Sequence, residues 1–105
     1  RPFLYTAEAV YECALRLYEL EEALKGMDFL RAGRSAIVNF RRMKSIRPEL
    51  GGRMLVTMDN GERLYVSRQY AVELKETIQQ RKHRQENSYK QQAPQGIAHI
   101  FDDQI

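Results

Sequence analysis

Residues 29–70 decide the fold, and they read FLRAGRSAIVNFRRMKSIRPELGGRMLVTMDNGERLYVSRQY. Short apolar segments alternate there with turn-forming residues, which is the pattern of several short antiparallel strands. The predicted strands are one that begins at Phe29 and others over residues 36–40, 43–46, 54–58 and 63–66. The predicted turns lie at residues 33–35, 51–52 and 59–62. This alternation indicates a mainly β fold.

Two of these boundaries depend on single residues. Asn60 and Gly61 stand between the last two predicted strands, and Asn-Gly supplies the two positive φ angles of a type I′ hairpin turn. Pro48 lacks the backbone donor that a strand ladder needs. The strand over 43–46 is therefore predicted to end at Arg47 and Pro48.

Positive charge is concentrated in the same stretch. Residues 29–70 contain nine bases and three acids, a net charge of +6, while the whole chain of 105 residues carries +3. The bases alternate with strand residues, which indicates a folded basic surface suited to a polyanion. Residues 1–28 carry a net charge of −3. We expect this acidic end to face away from the polyanion, although a run of glutamates is also typical of a solvated helix face.

Two linked motifs in the stretch resemble a known family. The first, F-[IVL]-R-x-x-[RK]-S-x-[IV]-V-N, is matched by Phe29, Leu30, Arg31, Arg34, Ser35, Ile37, Val38 and Asn39. The second, N-G-x-x-[IVL]-x-[IV]-S-R, is matched by Asn60, Gly61, Leu64, Val66, Ser67 and Arg68. Together they resemble the LytTR-type DNA-binding domain, found at the output end of many bacterial response regulators, over roughly residues 3–80.

The resemblance implies more about the fold than the alternation does. It implies an elongated arrangement of small antiparallel β-sheets, with one short helix near residues 17–24 and a terminal helix near 68–80. It also implies that a first strand carried by the family is missing or truncated here. The fold class we predict is therefore mainly β with short helices.

Residues 6–25 allow two interpretations. Apolar residues recur every three or four positions from Val10 to Leu24, and with Thr6 as a cap they predict one helix over 7–25. The resemblance implies instead a strand over 10–16 and a helix only from 17 to 24. We follow the resemblance, because apolar and polar residues also alternate over 11–15. Gly26 then suits the left-handed position just past a helix end.

The last predicted helix begins after Ser67, which is its predicted N-cap. Ala71, Leu74 and Ile78 follow at helical spacing, so the helix is predicted to cover 68–80. From Arg81 the sequence becomes polar and rich in glutamine.

We therefore divide the chain into a domain over 1–80 and a polar linker with a C-terminal tail over 81–105. Apolar residues return in the tail at Ile97, Ile100 and Phe101. We expect them to pack on the same domain or on a second copy. We also expect truncation after Gln80 to leave the fold intact.

No pattern of catalytic chemistry is present in the sequence. His83 and His99 lie far from Cys13, and the sequence has no metal-ligand cluster and no glycine-rich phosphate loop. We expect no enzyme activity, no cofactor, no metal and no small-molecule substrate. No apolar run approaches the ~20 residues that span a bilayer, and without a charged-then-apolar leader segment we do not expect a secreted precursor. A lone cysteine suits a reducing compartment, so we expect a cytoplasmic protein without a membrane partner.

The resemblance also assigns residues that contact DNA bases. It implies that loops between strands enter the major groove and touch two successive grooves along one face of the DNA. Arg34 in the turn at 33–35, and Arg68 with Gln69 at the start of the last helix, match the family's base-contacting loops. Which of Arg68 and Gln69 reads the base stays open, and capping with surface charge is the alternative to a DNA contact by these two residues. Arginine suits bidentate contact to guanine, and glutamine suits adenine.

The predicted phosphate-contacting residues are Arg1, Ser35, Arg42, Lys44 and Arg53. Arg1 is what remains of a third family contact, from the loop between the first two strands. Plain surface charge is the alternative for Arg42, Lys44 and Arg53. Local hydrogen bonding in a turn is the alternative for Ser35.

These observations predict sequence-specific binding of double-stranded DNA by a bacterial transcriptional regulator of a two-component system. As the family does, it would bind paired direct repeats as a homodimer or as two protomers that assemble on DNA. The alternative is a β-type interaction module that binds an acidic protein or RNA through its basic face. Steeply salt-dependent, sequence-selective binding to duplex DNA distinguishes the first function from the second.

Overall fold

A computed structural model of the chain describes residues 1–83 and 96–103, and for residues 81–83 it describes only the backbone. Within these ranges the chain forms two antiparallel β-sheets and two α-helices. The strands are β1 (Pro2–Tyr5), β2 (Val10–Glu12), β3 (Phe29–Arg31), β4 (Ala36–Asn39), β5 (Met43–Pro48), β6 (Met54–Met58), β7 (Arg63–Val66) and β8 (His99–Asp102). The helices are α1 (Leu17–Ala23) and α2 (Arg68–His83), and 3-10 turns cover Phe40–Arg42 and Leu50–Gly52. The predicted mainly β fold is confirmed.

Sheet A has five strands in the order β2-β1-β8-β4-β3. Its central strand, β8, comes from the C-terminal tail and pairs with β1 on one side and β4 on the other. Ile100 of β8 lies opposite Leu4 and Ile37 and is fully buried. The prediction that the tail packs on the same domain or on a second copy is confirmed for the same domain: Ile97 and Ile100 join its core, and β8 is an internal strand. Phe101 remains 38% exposed.

Sheet A is covered on both faces at β4, which explains the continuous apolar run of this strand. Ile37 and Ile100 pack on one face against Leu17, Leu20 and Leu24 of the α1 region. On the other face Ala36, Val38 and Ala98 join a second cluster formed with sheet B and α2. Strands buried on both faces lack a polar side and therefore do not alternate.

Sheet B has three strands in the order β5-β6-β7. Met54, Val56, Met58 and Val66 face the core, where Ala71 and Leu74 of α2 pack on them. The apolar residues of α2 recur at helical spacing and therefore lie on one side of the helix. Burial of this side against sheet B sets the orientation of α2. Among the described residues, neither helix is long and apolar enough to cross a membrane.

The N-terminal third follows the interpretation with a strand and a short helix, and the single helix over 7–25 is wrong. The strand is shorter than predicted, covering only Val10–Glu12. Helix α1 starts after Arg16, whose backbone N–H donates to Oε1 of Glu19 at 2.7 Å and so caps the first turn. Gly26 has a φ of +80°, as predicted for the residue past the helix end.

Three local details differ from the sequence prediction. In the β6–β7 turn only Gly61 has a positive φ, so the predicted type I′ geometry is wrong, although the hairpin itself is confirmed. Strand β5 continues through Pro48, opposite Met54. The missing donor is tolerated there because β5 is an edge strand. Helix α2 extends to His83 instead of ending at Gln80.

Candidate nucleic-acid interface

The turn between β3 and β4 presents Arg34 to solvent. It is closed by a hydrogen bond of 2.9 Å from the backbone N–H of Ala32 to the carbonyl of Ala36, and Ala32 itself is fully buried. Arg34 is exposed, and its guanidinium makes no hydrogen bond or ion pair with any other described residue. All five N–H donors of this side chain are therefore available to a ligand.

The start of α2 lies directly against this turn. The backbone N–H of Ser67 donates to the carbonyl of Ala32 at 3.0 Å, and the carbonyl of Ser67 accepts from Ala71 at 2.9 Å. Ser67 therefore occupies the predicted N-cap position, and Arg68 and Gln69 follow it as exposed residues of the first turn. Unpaired N–H groups and the positive end of the helix dipole favour an anion here. We call residues 32–35 together with 67–69 the turn–helix edge.

The loop between β5 and β6 supports the turn–helix edge from the side. Gly52 has a φ of +82°, and a Cβ added to it would lie 2.7 Å from Cδ and 2.8 Å from Cγ of Arg68. The aliphatic stem of Arg68 therefore packs on the bare backbone of Gly52. In the sequence the Gly51–Gly52 pair marks only a turn, so this support could not be recognised without the structure.

The five predicted phosphate contacts have different surroundings. Lys44 is exposed on β5, and its ammonium has no partner among the described residues. Arg53 is exposed and lies over the ring of Tyr65 at 4.3 Å, a cation–π contact. Arg42 donates from Nε to Oδ2 of Asp59, so part of its guanidinium already binds a carboxylate.

Ser35 and Arg1 lie at the same end of sheet A. The carbonyl of Ser35 accepts a hydrogen bond of 2.8 Å from the backbone N–H of Asp102. Asp102 is in turn opposite Pro2, the residue after Arg1. The guanidinium Nε of Arg1 lies 3.4 Å from Oε2 of Glu12. Backbone pairing across β8 thus brings Arg1 to the end of the sheet where Arg34 stands.

Besides Arg42, two basic residues of the stretch are partly buried. The side chain of Arg31 is 16% exposed and that of Arg41 is 17% exposed, and each forms an ion pair of 2.7 Å, with Glu21 and Asp28 respectively. Their charges are matched inside the fold, so neither belongs to an open basic surface. The motif that contains Arg31 gives no sign of this in the sequence.

His99 is a core residue and takes no part in the turn–helix edge. Its ring stacks on Tyr5 with centroids 4.4 Å apart, and Nδ1 is buried with no hydrogen-bond partner in the described part of the chain. Burial lowers the pKa of His99, and the negative charge of Glu62 opposes this in part. Among the described residues, no group of three His, Cys, Asp or Glu side chains could hold a metal ion.

Comparison with known proteins gives the family. The LytTR family, described as "LytTr DNA-binding domain", matches residues 1–79. The chain belongs to the LytTR family of DNA-binding domains. Its two β-sheets and two helices are also those of a solved LytTr DNA-binding domain from Bacillus cereus, with a TM-score of 0.67 and 34% identity over 72% of this chain and 70% of that one.

Two curated relatives are named "Sensory transduction protein LytT". The one from Bacillus subtilis (strain 168) is 34% identical over 73 residues, 70% of this chain and 30% of the relative. The one from Enterococcus faecalis (strain ATCC 700802 / V583) is 29% identical over 75 residues, 71% of this chain and 31% of the relative. The matched LytTR region thus spans about 30% of the length of these relatives.

Proposed function

We propose that this LytTR domain binds double-stranded DNA in a sequence-specific manner, with the turn–helix edge in the major groove. The observation that carries the proposal is the hydrogen bond of 3.0 Å between Ser67 and Ala32. It joins the turn of Arg34 to the helix start of Arg68 and Gln69, so that these exposed side chains form one surface. Bidentate contact to guanine is the role of Arg34, and Arg68 or Gln69 reads a second base.

Phosphate contacts position this surface on the duplex. Lys44 and Arg53 are exposed cations, which supports this role for them. Arg42, Ser35 and Arg1 complete the set. The acidic helix α1, whose exposed glutamates would be repelled by phosphate, faces away from the DNA.

A second protomer extends the contact. One turn–helix edge offers few reading residues, so two protomers, as a homodimer or assembled on the DNA, bind paired direct repeats. The relatives' name supports a place for the whole protein in bacterial signal transduction. In our proposal, this LytTR domain is the output domain of a cytoplasmic response regulator in a two-component system. Transcription is then the process that DNA binding controls.

Selection of bound duplexes from a random pool tests the proposal. We expect enrichment of a motif that occurs twice in the same orientation with a fixed spacing. Recovery of duplexes without a common motif would contradict sequence-specific binding. If the chain bound RNA or an acidic protein under the same conditions but no duplex, a β-type interaction module would replace the proposed function.

A further inference from the structure

Arg31 holds the turn that carries Arg34. Its Nε donates to the carbonyl of Gly33 at 2.7 Å, and one terminal nitrogen donates to the carbonyl of Arg34 at 2.8 Å. The other terminal nitrogen donates to Oε1 of Glu21 on α1 at 2.7 Å. One guanidinium thus spans the two carbonyls at the tip of the turn and ties them to a helix.

We propose that Arg31, anchored by Glu21, is a positioning residue that sets the orientation of Arg34 for base reading. This inference rests on the proposed function, because it assigns a role to Arg31 through Arg34. The planar fork of a guanidinium can satisfy two carbonyls and a carboxylate at once. A lysine ammonium is a point charge on a mobile stem and cannot hold the same three acceptors in one plane.

Strand register explains why the contact forms. Arg31 is opposite Ile37, and Ile37 packs on the α1 side of sheet A. Directly opposed residues of an antiparallel pair point to the same face, so the side chain of Arg31 extends toward α1, where Glu21 receives it. At 16% exposure the Arg31 side chain is largely withdrawn from solvent, which makes it a poor direct partner for a phosphate.

The opposite side of the turn is held as well. The backbone N–H of Asp102 donates to the carbonyl of Ser35, next to Arg34 in the chain. Three consecutive carbonyls, those of Gly33, Arg34 and Ser35, are therefore bonded to groups outside the turn. Bidentate base contact needs the reading side chain within roughly 0.5 Å of its productive position, and such fixing of the backbone supplies that precision.

Discrimination between DNA sites measures the proposed role. The quantity is the ratio of affinities for the selected duplex and for its single-base mutant at the position that Arg34 reads. Arg31→Lys keeps the charge, and we expect this ratio to fall by about fivefold, a part of what a bidentate contact contributes. Glu21→Gln, which keeps Arg31 but weakens its anchor, should lower the ratio in the same direction. Affinity for random duplex should change less than about twofold for both.

Arg41→Lys is the matched control, because Arg41 is equally shielded and forms an equivalent ion pair with Asp28. It should lower the melting temperature as Arg31→Lys does, without changing the ratio. A double-mutant cycle completes the test: in an Arg34→Ala background, Arg31→Lys should leave the ratio unchanged.

The outcomes separate the inference from the function on which it rests. If Arg34→Ala alone leaves the ratio at the wild-type value, the base-reading role of Arg34 in the proposed function is wrong. If Arg34→Ala lowers the ratio and Arg31→Lys does not, the positioning role is wrong. The positioning role is also overturned if Arg31→Lys lowers the ratio equally with and without Arg34.

Discussion

Ile100→Ala tests whether the C-terminal tail is part of the domain. Ile100 is fully buried at the centre of sheet A, opposite Leu4 and Ile37 and in contact with the cluster around α1. Strands on both sides and a helix above it prevent the cavity from collapsing. We therefore expect a loss of about 3–5 kcal/mol, the upper part of the range for removing a large buried aliphatic side chain.

Urea unfolding followed by circular dichroism measures this loss. A domain of this size has a total free energy of unfolding of about 5–15 kcal/mol. If the wild type lies at the lower limit of this range, the variant should be close to unfolded. Leu50→Ala is the control: Leu50 is 90% exposed, and its removal should change the free energy of unfolding by less than about 0.5 kcal/mol. If both variants were equally stable, β8 would not occupy the centre of sheet A.

Truncation after Gln80 is the stronger form of the same test. The sequence alone predicts that the fold stays intact without residues 81–105. The position of β8 leads us to expect the opposite, because its removal leaves β1 and β4 without their shared neighbour. If the truncated chain unfolded cooperatively with the same urea midpoint as the wild type, the result would support a domain boundary at residue 80.

Three further predictions concern single side chains. Arg34→Ala should cost about 1–3 kcal/mol of binding free energy at the selected site and relax the preference at one base pair, whereas Lys44→Ala should weaken binding to all duplexes alike. A series of duplexes with single-base changes distinguishes the two effects. If Arg34→Ala also weakened binding to all duplexes alike, Arg34 would be a phosphate contact. Burial lowers the pKa of His99 in the folded state. Below about pH 6.5 the unfolded state therefore binds more protons than the folded state, and the stability of the domain should decrease as the pH falls. In His99→Gln the loss between pH 7 and pH 5 should be smaller, and an unchanged loss would show that other groups cause it. Gly52→Ala should lower stability by about 1 kcal/mol or more, because it adds strain at a positive φ. It should also weaken DNA binding, because the added Cβ displaces Arg68. Unaltered binding would show that the stem of Arg68 need not rest on Gly52.

Local sequence signals predicted most of the strands and the last helix. The β6–β7 hairpin follows from Asn60 and Gly61 between two apolar runs, and the start of α2 follows from Ser67. The exact turn type was not predictable, because Asn60 can adopt either sign of φ and the surrounding bonds decide. Helical spacing over 7–25 was misleading, since the same residues also fit a short strand followed by a short helix.

Contacts between residues distant in the chain could not be predicted. Strand β8 inserts between β1 and β4, about 60 to 100 residues away from it in sequence, and nothing local in the tail specifies these neighbours. Arg31 illustrates the same limit for the candidate site. As one of nine bases it is not distinguished from Arg34 in the sequence, and only the fold separates the shielded guanidinium that bonds the turn from the exposed one.

The salt dependence of binding to the selected duplex tests the central claim most directly. With about four to six phosphates neutralised, the logarithm of affinity should fall against the logarithm of salt concentration with a slope of roughly −4 to −5. At physiological salt the selected duplex should be bound at least about 10³-fold more tightly than a scrambled one. A flat salt response, or equal affinity for both duplexes, would contradict sequence-specific DNA binding by this domain.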